Sequence, residues 1–305
     1  MTHYTSADLR PPPRTIQDWT ADHEFRENAL KLSLSTRVAE APKPRKDLAL
    51  MSLAEVAALA KASGYRALCT RASLIGVQST PQELKAAREL LDGMGLRVWS
   101  IAGNNDIPNN NERAGVALRE IGRHLDVAQA LGAGVIRIGM KAHTDIPWAR
   151  RAADEARERG IRLAHQSHVC SLFETVERSI HVVREVGREN FGLIYEPANL
   201  IACSQDYGRK TMRAYLPPLF GVYLQNRWNH AEGKATVETW INGPVKCDLA
   251  DFGDPRATDF NVVFDALADV GYDGFVTVHQ AGAGSDIAAG VRQYADYLRS
   301  IARFD

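Results

Sequence analysis

The chain has 305 residues, with Lys plus Arg equal to Asp plus Glu at 37 each, so its formal net charge is zero. Nucleic-acid binders carry a basic excess or stripe, so no nucleic-acid partner is expected. No run of about eighteen apolar residues occurs, so no membrane partner is expected either, while an apolar fraction of 45% suffices for a large core.

Met1 to Pro13 lacks the apolar stretch of a signal peptide. Cys69, Cys170, Cys203 and Cys247 form no CxxC pair, and such sparse use favours a reducing compartment. A cytoplasmic location is therefore expected.

Residues 1–28 are polar, include Pro11-Pro12-Pro13, and are expected to be an N-terminal arm outside the folded repeat. Leu30 to Leu34 alternates apolar and polar residues, the period of a strand. After a Pro- and Lys-rich loop (Ala41 to Asp47), Ser52 caps a helix with Glu55 at capping-box spacing, and Gly64 ends it. Tyr65 to Cys69 is the second strand. Thr80-Pro81 opens the next helix, which ends at Gly93-Met94-Gly95, and Leu96 to Ile101 is the third strand. An Asn-rich loop, Asn104 to Asn111, precedes one long amphipathic helix ending near Leu131.

The alternation continues. Gly134 to Ile138 is the fourth strand, and Pro147 opens a helix that Gly160 closes. Ile161 to His168 is the fifth strand with its polar ending, followed by a helix over Phe173 to Val186. Gly192 to Tyr195 is the sixth strand, Gln205 to Tyr215 a short helix, and Gly221 to Gln225 the seventh strand. An insertion rich in Gly, Asp and Trp covers roughly Arg227 to Thr258. Phe260 to Val270 is helical, Phe275 to Val278 is the eighth strand, and a helix over Asp286 to Ile301 closes the pattern.

Eight strand–helix pairs predict an α/β chain folded as a (β/α)8 TIM barrel over 29–305, with a long insertion after strand seven. A doubly wound sheet is the alternative, weakened by the absence of GxGxxG after the first strand. In a barrel, the C-terminal ends of the strands form the active-site mouth. Strands five to eight end in His, Glu, Gln or Asn, which are costly to bury without partners. These four endings are read as one site.

Several segments carry a resemblance. They are Glu120 to Leu131 running into Gly132-Ala133-Gly134-Val135-Ile136-Arg137, then Ala164-His165-Gln166-Ser167-His168, Tyr195-Glu196-Pro197-Ala198-Asn199-Leu200, and Ala268 through Val278. The chain resembles the xylose isomerase-like TIM barrel superfamily, and within it the sugar phosphate isomerase/epimerase branch, over roughly residues 30–303. The resemblance implies one divalent metal held by Glu, Asp, His and Glu from strands five to eight, with two of the carboxylates acting as an acid/base pair. In this sequence Gln166, Glu196, Gln225 (or Tyr223) and His279 stand at those places.

Fewer carboxylates favour metals that accept imidazole, so Mn²⁺ is expected first, with Zn²⁺, Fe²⁺, Ni²⁺ or Mg²⁺ behind it. Gln166 cannot abstract a proton, which leaves His168, His279 and Glu196 as the candidate catalytic groups. Gln166 and His168 share strand parity, whereas His165 faces the other way unless a bulge turns it. His165, Lys141, Asn199, Asn226, Trp228 and His230 are the substrate-binding candidates, carboxamides and an indole suiting a sugar. The insertion is expected to cover the mouth.

The function expected is a metal-dependent isomerase or epimerase of a small-molecule sugar or keto-sugar, abstracting a proton α to a carbonyl. A lyase eliminating an aglycone from a 3-keto glycoside is one alternative, and a non-catalytic sugar-binding barrel another. A homo-oligomer or a small second subunit is the expected protein partner.

Overall fold

A computed structural model describes residues 29–41, 47–103, 113–280 and 286–305. The expected arm over 1–28 and the Asn104 to Asn111 loop therefore lie outside the described residues, as does most of the Pro- and Lys-rich loop. Eight parallel strands close into a barrel: β1 (Lys31–Ser35), β2 (Ala67–Thr70), β3 (Arg97–Ala102), β4 (Val135–Ile138), β5 (Arg162–Gln166), β6 (Phe191–Tyr195), β7 (Leu219–Leu224) and, after the insertion, β11 (Phe275–Val278). Each pairs with its sequence neighbour, and β11 pairs with both β7 and β1, so no edge remains in the barrel.

Helices separate the strands: α1 (Leu53–Ala62), α2 (Pro81–Gly93), α3 (Val116–Arg119), α4 (Ile121–Leu131), α5 (Ile146–Glu158), α6 (Val176–Val186), α7 (Pro197–Ala202), α8 (Arg209–Tyr215), α9 (Phe260–Asp269) and α10 (Ile287–Ile301). Both reciprocal capping boxes form, Ser52 with Glu55 and Thr80 with Glu83. The single long helix expected before Leu131 is two, because Glu120 leaves helical geometry at ψ 35°. Helix α7 was not anticipated; Pro197 at its first turn, with φ preset and no N–H to satisfy, starts it directly after β6. Among the described residues no helix is long and apolar enough to cross a membrane.

Strand alternation divides the core into two parts. Outward residues such as Leu32, Leu34, Ile136, Ile138, Leu163 and Leu193 pack under the helices. Inward residues Ala67, Cys69, Trp99, Val135, Ala164, Ile194 and Tyr223 fill the barrel axis. Trp99 stacks on Phe275 at 5.3 Å and donates from its indole to Thr277 Oγ1 at 3.1 Å. A Cβ at Gly221 would collide with the Trp99 ring, so that strand position has room only for glycine. The Tyr223 hydroxyl, 2.9 Å from Cys69 Sγ, tops this plug.

The insertion is folded. Strands β8 (Arg227–Asn229), β9 (Ala235–Thr239) and β10 (Gly243–Leu249) form an antiparallel sheet in the order β8-β10-β9. Buried Glu174, in the loop after β5, accepts from Cys170 N at 3.0 Å and from Trp240 N at 2.7 Å. Asn242 donates to the Ala202 carbonyl at 2.9 Å. The sheet is thus fastened to the loops that follow β5 and β6.

Candidate active site at the barrel mouth

The inward parity of the barrel continues into the residues just past each strand. Two positions beyond inward Ala164, Ile194, Tyr223 and Thr277 stand Gln166, Glu196, Gln225 and His279. The same step beyond Cys69 and Val135 gives Arg71 and Arg137, and beyond Ser35 gives Arg37. Arg37 sits in a short 3₁₀ turn, Thr36–Ala39, whose start is capped by Ser35 Oγ accepting from Arg37 N at 3.2 Å.

These side chains form a belt. Glu196 is fully buried; Gln166 Nε2 donates to its Oε2 and Gln225 Nε2 to its Oε1. Arg37 Nη1 donates to Gln225 Oε1 at 2.6 Å. Arg227 Nη2 lies 3.9 Å from Glu196 Oε1 and donates to Asn199 Oδ1 at 2.5 Å. Asn199 is fixed in turn by donating to the Ser167 carbonyl at 2.8 Å. Arg71 pairs with Glu40 at 2.6 Å, both almost fully buried.

The electrostatics follow from burial. Loss of water pushes the Glu196 carboxyl up from the ordinary 4.5 to about 7, against the pull of Arg227, Arg37, Arg137 and the Gln225 bond. Burial, then repulsion by Arg71, brings Arg37 down to about 10. Arg137 is also lowered, first by burial and then by Arg71. His168 is held well below the usual histidine range by burial and by Arg137. Its Nδ1 lies 2.9 Å from the Val169 carbonyl, which can only accept, so the neutral ring carries its lone pair on Nε2. His279 is buried and stacked on Tyr223, ring centres 4.4 Å apart.

The remaining expected site residues make other contacts. His165 faces away from the axis, stacked on Phe173 at 3.9 Å and pushed down to about 3 by burial; no bulge turns it inward. Asn226 is spent on the insertion: its amide donates to the Asp251 carbonyl at 2.8 Å and its Oδ1 accepts from Thr258 N at 2.9 Å. Trp228 and His230 stack on each other at 3.6 Å within the β8–β10 sheet, and His230 Nε2 meets Asp248 Oδ2 at 2.9 Å. Lys141 lies in the loop after β4, its backbone N–H held by Asp145 at 2.8 Å. Asn199 belongs to the belt through Arg227. The four arginines were missed because attention fell on ligand-type endings of strands five to eight. Alternation applied to the first, second and fourth strands finds three of them.

The donor set does not fit the expected divalent cation. Among the described residues no group of three or more His, Cys, Asp or Glu is gathered as metal ligands would be. Both Glu196 oxygens accept from carboxamides, and Arg37, Arg137 and Arg227 act on the same carboxyl. Guanidinium N–H groups have no lone pair to offer a metal and repel its charge.

A family model described as xylose isomerase-like TIM barrel matches residues 57–301. No curated protein matches the sequence significantly. Among solved structures, D-allulose 3-epimerase from Methylomonas sp. is similar at a TM-score of 0.63 and 15% identity, covering 90% of this chain and 98% of that one. The probable 3-DHS dehydratase AsbF of Bacillus anthracis is similar at 0.65 and 14%, covering 88% and 99%. The 3-keto-D-glucoside 4-epimerase YcjR of E. coli is similar at 0.62 and 13%, covering 89% and 99%. At such identities the likeness is one of fold.

Proposed function

The chain belongs to the xylose isomerase-like TIM barrel family, and from that premise we propose that it is an enzyme acting on a sugar or keto-sugar by proton transfer at the carbon beside a carbonyl. Isomerisation is the reaction put first. The observation that carries this reading is Glu196. It is a buried carboxyl at the mouth, oriented by two carboxamides, and poised at about 7. A group balanced between its two protonation states near neutrality is suited to take a proton and return it.

Of the three candidate catalytic groups, Glu196 rather than His168 is therefore put first as the base. Burial, and then the charge of Arg137, make the imidazole of His168 reluctant to accept a proton. No step is assigned to a metal. Negative charge arising on the substrate oxygen as the proton leaves would be met by Arg137, Arg37 and Arg227, whose fixed charges need no reorganisation at that moment.

Among the described residues Glu196 is the one carboxyl at the ends of strands five to eight, where the resemblance implies a pair, and this bears on the outcome. Epimerisation by proton transfer removes a proton from one face of a carbon and delivers another to the opposite face. A single acid–base group instead favours transfer between neighbouring carbons on one face, or expulsion of a leaving group β to the carbanion. Elimination is for that reason the second reading, and the protein described as a probable 3-DHS dehydratase stands among those of similar fold.

The test is proton NMR of candidate keto-sugars incubated with the protein in D₂O. Deuterium should enter the carbon beside the carbonyl, and Glu196→Gln should slow entry by about 10²- to 10⁴-fold. Undiminished exchange in that variant would remove Glu196 from its role.

A further inference from the structure

We propose that the barrel mouth binds the oxyanion group, a carboxylate or a phosphate, of a hydroxylated substrate, and that Arg137 receives it. This names the substrate class of the site described above, and its chemical consequence rests on the proton-transfer reading.

Arg137 is only 6% exposed, its Nε is buried, and its guanidinium makes no hydrogen bond among the described residues. It points inward, two positions beyond Val135 of the axial plug, and the charged groups that act on it are Arg71 and Glu196. A buried guanidinium left without a partner is costly, so such groups are normally paired. The other cations of the belt are occupied, Arg71 by Glu40, Arg37 by Gln225 and Arg227 by Asn199. Further polar atoms are buried without a hydrogen bond in the same belt, among them Arg227 Nε, a donor, and Gln166 Oε1 and Glu40 Oε2, acceptors.

What would satisfy this set is a molecule offering several acceptors to arginine and one donor to Gln166. A carboxylate or phosphate matches the planar fork of arginine, and a neighbouring hydroxyl matches the carboxamide oxygen. Charge points the same way. Among the described residues, the carboxyls set against Arg37, Arg71, Arg137 and Arg227 are Glu40 and Glu196, so with a neutral sugar bound the described groups of the mouth carry excess positive charge. An oxyanion offsets it.

The experiment is titration calorimetry of the full chain at low ionic strength with D-glucuronate, D-glucose 6-phosphate and D-glucose. At least one of the two anions should bind about tenfold or more tightly than D-glucose, with the advantage shrinking as salt is added. Whichever anion is preferred identifies the group as carboxylate or phosphate. In Arg137→Gln the advantage should fall to about threefold or less, and Arg137→Lys, which keeps the charge but loses the fork, should retain an intermediate preference. Arg97→Gln removes an equal charge from the exposed start of β3 at the other end of the barrel, and should leave the preference unchanged. Equal binding of all three compounds by the unaltered chain, or a preference that survives Arg137→Gln, overturns the proposal. Anion preference without deuterium exchange in any ketose would uphold this inference and remove the proton-transfer reading. Exchange without anion preference would do the reverse.

Discussion

At the scale of single residues, Glu196 sets both the chemistry and a cost. Its carboxyl is at about 7 in the fold against the ordinary 4.5, so the native state favours the protonated form. That contribution to stability is fully present below about pH 4.5 and is lost as pH rises through about 7. Glu196→Gln has no such loss. The variant is therefore expected to gain on the natural protein between these limits, by about 3 kcal/mol at about 1.4 kcal/mol per pH unit, and then to level off. Thermal unfolding of both proteins from pH 4 to 8.5 measures this; parallel curves would contradict the assigned shift. The kinetic counterpart has the same origin. If the carboxylate is the base, exchange rates climb with pH and flatten above about 7, and a profile falling through that range would assign the role to an acid form instead. The polar endings at Gln166, Glu196, Gln225 and His279 were legible in the sequence because strand parity carries them to the mouth. Arg137 follows from the same parity, two positions beyond Val135, but went unread because a lone arginine in an apolar strand is ordinarily a surface residue.

At the scale of elements, the insertion depends on a small number of bonds. Glu174 accepts from two backbone N–H groups, one on its own loop and one at the β9–β10 turn. Glu174→Ala should leave both donors unsatisfied at a cost of about 1–3 kcal/mol. Amide exchange should then quicken across 235–249 while β4, β5 and β6 keep their protection. If exchange in the insertion does not change, Glu174 does not fasten it. The strand–helix alternation was readable because apolar runs punctuated by glycine have no other compact solution. The β8–β10 sheet was not readable. Its strands are short and polar, and the alternation of burial in β10, at Val245 and Cys247, is too brief a pattern to mark a sheet. The same lack of signal hid α7, which owes its start to Pro197 alone. Trp228, His230 and Asn226 were expected as sugar contacts on composition; in the folded chain Asn226 bonds the insertion, and Trp228 and His230 stack on one another.

At the scale of the whole molecule, a chain of zero formal charge concentrates arginine where the barrel opens. Bulk charge averages over the surface and gives no hint of this. The barrel brings together side chains from β1, β2, β4, β5, β6 and β7 that are distant in sequence, and the resulting charge is of the sign a metal would supply. That is the central claim: cationic side chains, rather than a divalent ion, meet the negative charge of the reacting substrate. The measurement that tests it most directly is deuterium exchange into a substrate ketose by protein stripped with a chelator and verified metal-free by elemental analysis. Exchange is expected to continue at the rate of the untreated protein, and added Mn²⁺ is expected to change it by less than about twofold. Exchange that stops on stripping and returns with Mn²⁺ would contradict the account.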